Sequence, residues 1–115
     1  MAKLFTLVLG LVLLAVGVVG GLTGGHDHNL IIFGINLKHN LVHILSGVVA
    51  LAAAFGGEKY AKQYCLVFGA VYGLVTIAGF LHIGAVVQML NLNQADNILH
   101  LLIAGSCLVV GKKAA

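Results

Sequence analysis

Four long apolar stretches, parted by short polar breaks, limit what this chain can fold into. They are Leu4 to Leu22, about Asn40 to Phe55, about Cys65 to Leu81 with an apolar continuation to Leu90, and Ala95 to Val110. A helix needs about 20 mostly apolar residues, rising about 1.5 Å each, to cross the hydrocarbon core of a bilayer. The second and fourth stretches reach that length only if the polar residues at their starts are counted in. His39, Asn40 and His43, and Asp96, Asn97 and His100, are therefore expected in or near the membrane.

Composition supports the membrane reading. Only 8% of the 115 residues are charged, against 61% hydrophobic, whereas soluble domains carry about 25% charged residues. So little charge cannot cover a water-facing surface, and lipid must solvate most of the chain. The six Lys are scattered, which excludes a basic nucleic-acid face. With three acidic residues and no Gly-rich phosphate loop, nucleophile triad or paired carboxylates, the expectation is a non-enzymatic protein.

Lysine placement sets the expected direction. Lys3, Lys59, Lys62, Lys112 and Lys113 fall on one side of the four spans, and only Lys38 falls on the other. Cytoplasmic segments carry the excess of Lys and Arg, so both termini are expected in the cytoplasm. Lys3 before an apolar run also fits a signal peptide, but no clear small-x-small cleavage site of the Ala-x-Ala kind follows, and the first span is expected to be retained.

The chain reads as a duplication. Leu7-Val8-Leu9-Gly10 resembles Leu66-Val67-Phe68-Gly69, and Asn40-Leu41-Val42-His43-Ile44-Leu45 resembles Asn97-Ile98-Leu99-His100-Leu101-Leu102 at a similar offset. The expected fold is all-α: one membrane domain over residues 1–115, made of two hairpin repeats, 1–57 and 58–115, related by a pseudo-twofold along the membrane normal. The outer segments Leu30–Leu37 and Ile83–Leu92 are too short to span, and are expected in the interface or packed over the bundle. Small residues form a stripe on each span: Gly10, Gly17 and Gly21; Ser46, Gly47, Ala50 and Ala54; Gly69, Gly73 and Thr76; Ala104, Cys107 and Gly111. Such stripes let helices approach closely in lipid, within the bundle or in a homo-oligomer. Cys65 and Cys107 are expected to pack, and Phe55, Tyr60 and Tyr64 to anchor at the interface.

The functional lead is a cluster of polar residues toward the outer end, where all six His fall. His39 and His43 share one helix face four residues apart, and Asp96 and His100 repeat that spacing. Three readings stay open. The polar groups can lock the helices together by hydrogen bonds. His39, His43, Asp96 and His100 can hold a divalent metal such as zinc, with His26-Asp27-His28 as a loading site. His43 and His100 can ligate a tetrapyrrole, either haem or a chlorophyll-type pigment.

His39-Asn40-Leu41-Val42-His43-Ile44-Leu45-Ser46-Gly47 and Ala95-Asp96-Asn97-Ile98-Leu99-His100-Leu101-Leu102 resemble the two signature stretches of a family of small bacterial four-helix membrane proteins, catalogued as a domain of unknown function (number four-three-eight-three). The resemblance covers nearly the whole chain and implies the four-helix fold and a bacterial inner (cytoplasmic or internal) membrane, but no activity. The leading expectation is an accessory or structural subunit that packs against a larger membrane complex. A cofactor or metal carrier comes next, and solute or metal transport by an oligomer third.

Overall fold

The computed structural model describes residues 1–24, 26–30 and 33–113. In chain order the elements are α1 (Ala2–Leu22), β1 (His28–Leu30), β2 (Phe33–Ile35), α2 (Leu37–Gly56), α3 (Glu58–Phe80), α4 (Gly84–Leu90) and α5 (Gln94–Lys113). Four of the helices, α1, α2, α3 and α5, are long and apolar enough to cross a membrane. The polar starts of the second and fourth stretches are helical, as their length required: α2 takes in His39 and Asn40, and α5 takes in Asp96 and Asn97.

Small residues decide how the long helices pair. Lipid supplies no hydrophobic drive between them, so close van der Waals contact has to. On α1, Gly10 faces Gly47 and Ala50 of α2, while Gly17 and Gly20 face Asn40 and Ile44. The order of these contacts makes α1 and α2 antiparallel. On α3, Gly69 faces Cys107 and Leu108 of α5, and Gly79 faces Asn97, so this pair is antiparallel too. Thr6 Oγ1 lies 3.3 Å from Cys65 Sγ, and the Glu58 carboxylate accepts from the backbone N–H groups of Ala2 and Lys3. Those contacts set α1 and α3 side by side and parallel. The turn from α2 into α3 is made at Gly57, whose φ of +121° suits glycine.

Leu13, Ala50, Tyr64, Cys65, Tyr72, Ile103, Ala104 and Cys107 form the core where the two pairs meet. Large apolar side chains on all four long helices, among them Leu11, Leu45, Leu74 and Leu102, point outward. In water that surface would be a liability, but in lipid it is the solvated face.

Three expectations are corrected here. Gly21 is exposed with open space around it, and Gly20 makes the close approach instead. A Cβ on Gly73 would meet nothing nearer than Ala104 Cβ at 4.0 Å, so the tight contacts on α3 belong to Gly69 and Gly79. Tyr64 is buried, and its hydroxyl donates to the Ser46 carbonyl at 2.9 Å, which makes it a core residue and not an interfacial anchor. Tyr60 and Phe55 are exposed.

The two short segments pack over the bundle end opposite the chain termini. One is a β-hairpin, which the all-helical expectation did not include, pairing His28 with Ile35, Asn29 with Gly34 and Leu30 with Phe33. The other is α4. Residues 31 and 32, and the His28 side chain, lie outside the described residues. The segments are tied together: Asn91 Nδ2 donates to the Ile35 carbonyl at 3.0 Å, and Asn36 Nδ2 to the Met89 carbonyl at 2.8 Å. Ile35, Leu90 and Leu92 are buried beneath them.

Candidate metal centre

The site begins with the capping of α2. Asn36 is the N-cap, and its Oδ1 accepts from the His39 backbone N–H at 2.9 Å, one of the donors a helix start leaves unpaired. The same side chain donates to Asp27 Oδ1 at 3.0 Å, so α2 starts from a fixed point between the hairpin and α4. His39 and His43 then project from one face of α2 into the bundle, and His100 projects from α5 to meet them.

The three rings form a closed triangle. Ring centroids are 4.5 Å apart for His39 and His43, 5.4 Å for His39 and His100, and 5.8 Å for His43 and His100. One ligand nitrogen from each lies within 4.8 Å of those of the other two. All three residues are 1–2% exposed. His39 Nδ1 lies 2.9 Å from the Leu90 carbonyl oxygen. A carbonyl only accepts, so this is a hydrogen bond in the Nδ1–H tautomer, which leaves the lone pair on Nε2. His39 Nε2, and both ring nitrogens of His43 and His100, have no hydrogen-bond partner. Three adjacent buried imidazoles with free lone pairs could together offer three nitrogen ligands to a metal ion. A backbone carbonyl holding the far nitrogen of a ligand ring is the outer support metal sites use.

Asp96 does not join the three rings. Its Oδ2 accepts from the backbone N–H of Asn93 at 2.9 Å and from that of Gly34 at 3.0 Å. It closes the first turn of α5 and fastens the hairpin. Among the described residues, the only group of three or more potential ligands is His39, His43 and His100. His82 is exposed past the end of α3. His26 and Asp27 line a separate cavity of about 410 Å³, with Asn36, Lys38, Gln88 and Met89.

One neighbour was not singled out in the sequence. Tyr72 of α3 is 3% exposed, its ring centroid lies 5.5 Å from that of His100, and its hydroxyl makes no hydrogen bond of full geometry. The signal was present: position 72 falls on the same helix face as Gly69 and Thr76, the stripe that faces inward.

Four apolar helices with a buried histidine triad near one end define a small polytopic membrane bundle, and point to an integral membrane protein. The chain belongs to the family described as Domain of unknown function (DUF4383), which it matches over residues 3–112. No curated protein and no solved structure matches it.

Proposed function

We propose that this protein binds one transition-metal ion through His39, His43 and His100, and that its role is to hold or hand on that ion without catalysing a reaction. The observation behind this reading is the convergence of three buried imidazoles that have free lone pairs. A buried polar group left unpaired costs about 1–3 kcal/mol, and an ion takes up one lone pair from each ring. Three neutral imidazoles without a thiolate suit zinc, copper, iron or nickel. Ligand nitrogens around a four-coordinate ion with bonds of about 2.0–2.1 Å lie about 3.3 Å apart, so a bound ion draws the rings inward. The third ring argues against a tetrapyrrole. His39 stands in contact with both His43 and His100, in the space a macrocycle between them would need. An accessory subunit held together by polar bonds would leave these nitrogens uncompensated, so the ion reading is preferred to it.

The duplication belongs to the same proposal. Asn36 and Asn93 each accept from a backbone N–H three residues on. Asn40 and Asn97 each press against a glycine, Gly20 or Gly79, of the partner helix. His43 and His100 follow in turn. These matches support two pseudo-equivalent helix pairs. The five lysines at the end opposite the histidines support cytoplasmic termini, which would set the site toward the outer face.

Titration of the detergent-purified protein with Co2+ tests the ion site. The expected result is visible absorption of a four-coordinate cobalt centre that saturates at one equivalent, lost in His43→Ala and His100→Ala and kept in Asp96→Asn. Failure of the wild-type protein to take up Co2+ or Zn2+ would sink the reading.

A further inference from the structure

Resting on the three-histidine site proposed above, we infer that the Tyr72 phenol oxygen is the fourth ligand of its ion. The argument starts from charge. Three neutral imidazoles leave a bound dication with its full charge in a low-dielectric interior, where an uncompensated charge is costly. The chain has three carboxylates, and each is engaged elsewhere. Asp96 accepts from Asn93 and Gly34, Asp27 accepts from Asn36, and Glu58 holds the start of α1 at the opposite end of the bundle. None of the three is grouped with the imidazoles.

The tyrosine whose ring packs against the cluster is Tyr72. Its ring is tilted at 57° to His100 with centroids 5.5 Å apart, it is almost fully buried, and its oxygen makes no hydrogen bond of full geometry, with the Ser46 side chain as the polar group beside it. The other core tyrosine, Tyr64, has already committed its hydroxyl to the Ser46 carbonyl. Coordination replaces the phenol O–H bond with an O–metal bond. The proton leaves to solvent, no electron is transferred, and the net charge of the site with a dication falls from two to one. A bound ion thereby lowers the cost of its own burial, and the site favours oxidised ions that accept phenolate oxygen.

Cu2+ is the probe, added to the full-length protein in detergent. The wild-type complex should show a phenolate-to-copper charge-transfer band in the visible, with tyrosinate modes in its resonance Raman spectrum. Tyr72→Phe should lose both, keep the weaker ligand-field absorption at one equivalent, and bind at least about tenfold less tightly. Tyr64→Phe should keep the band. A wild-type copper complex without the band or the tyrosinate modes overturns the inference and leaves the three-histidine site standing, as does a band that survives Tyr72→Phe. Wild-type protein that binds neither Cu2+ nor Co2+ overturns the histidine site itself. If Tyr72→Phe fails to fold, the Raman spectrum of the wild-type complex still decides the matter.

Discussion

The starts of α2 and α5 are built alike and put to different uses. Each opens on an asparagine whose side chain accepts from the backbone N–H three residues on, at 2.9 Å in both. Each then sets an asparagine against a glycine of its partner helix, and a histidine follows one turn later. They differ at the residue whose N–H is capped. In α5 it is Asp96, whose carboxylate reaches back to the Asn93 N–H in a capping box and also holds Gly34 of the hairpin. In α2 it is His39, which bonds the Leu90 carbonyl of α4 and turns Nε2 toward two other rings. A carboxylate there closes the structure, and an imidazole there makes a site. One local frame thus yields a clasp on one side and a ligand on the other.

The largest expected effect separates those two roles. Asp96→Ala leaves the Gly34 and Asn93 N–H groups without their acceptor, at about 1–3 kcal/mol each where buried. It should lower the thermal unfolding midpoint in detergent strongly while ion affinity holds. His39→Ala should differ at the ion: uptake is lost outright even where the variant remains folded, with a stability cost of about 1–3 kcal/mol for the Leu90 carbonyl left unpaired and a further cost for the cavity. Loss of ion binding in Asp96→Ala at a temperature where it remains folded would show that the two positions are not divided in this way.

A smaller effect tests how far the likeness extends. A Cβ on Gly20 would collide with Asn40 Oδ1, and one on Gly79 with Asn97 Oδ1. Gly20→Ala and Gly79→Ala should each cost about 1–3 kcal/mol by overpacking, in similar measure. Gly73→Ala, with its nearest neighbour at 4.0 Å, should be close to neutral. A large loss at Gly73, or a loss at only one of the other two, would break the parallel between the helix pairs.

The parts that hydropathy controls were legible in the sequence. Four long apolar helices, their length and the inclusion of His39, His43, Asp96 and His100 in two of them follow from how many apolar residues a bilayer demands. The pairing of His43 with His100, set by their matching Asn-x-x-His motifs, was already implicit in reading the two as ligands of one group. What stayed hidden depends on tertiary direction. A stripe containing Gly17 and Gly21 is as good on paper as one containing Gly17 and Gly20, because four and three residues both approximate a helical turn. The hairpin strands are three residues each, too short for a period to register. Asp96 and His39 occupy matching places, and only the position of Gly34 and Leu90 decides which of them turns outward to clasp and which inward. Tyr72 was passed over because a tyrosine in an apolar run reads as packing until a histidine is found beside it.

The smallest expected effect is the most discriminating. Asn36→Ala and Asn93→Ala each remove an N-cap, worth about 1 kcal/mol, and Asn36→Ala also loses its bonds to Asp27 and Met89. Their consequences for the ion should differ. Asn36 also donates to the Met89 carbonyl, so it ties α2 to the last turn of α4, whose Leu90 carbonyl orients His39. Loss of Asn36 frees that junction and lets the His39 ring rotate. Weakening the support behind a ligand costs about 10- to 100-fold in affinity, and Asn36→Ala should fall near the lower end, because Leu90 itself remains. Asn93→Ala disturbs the Asp96 clasp and should leave Co2+ affinity unchanged. Equal affinities in the two variants would mean that α4 does not position His39, and that the α2 start differs from the α5 start only in the ring it carries.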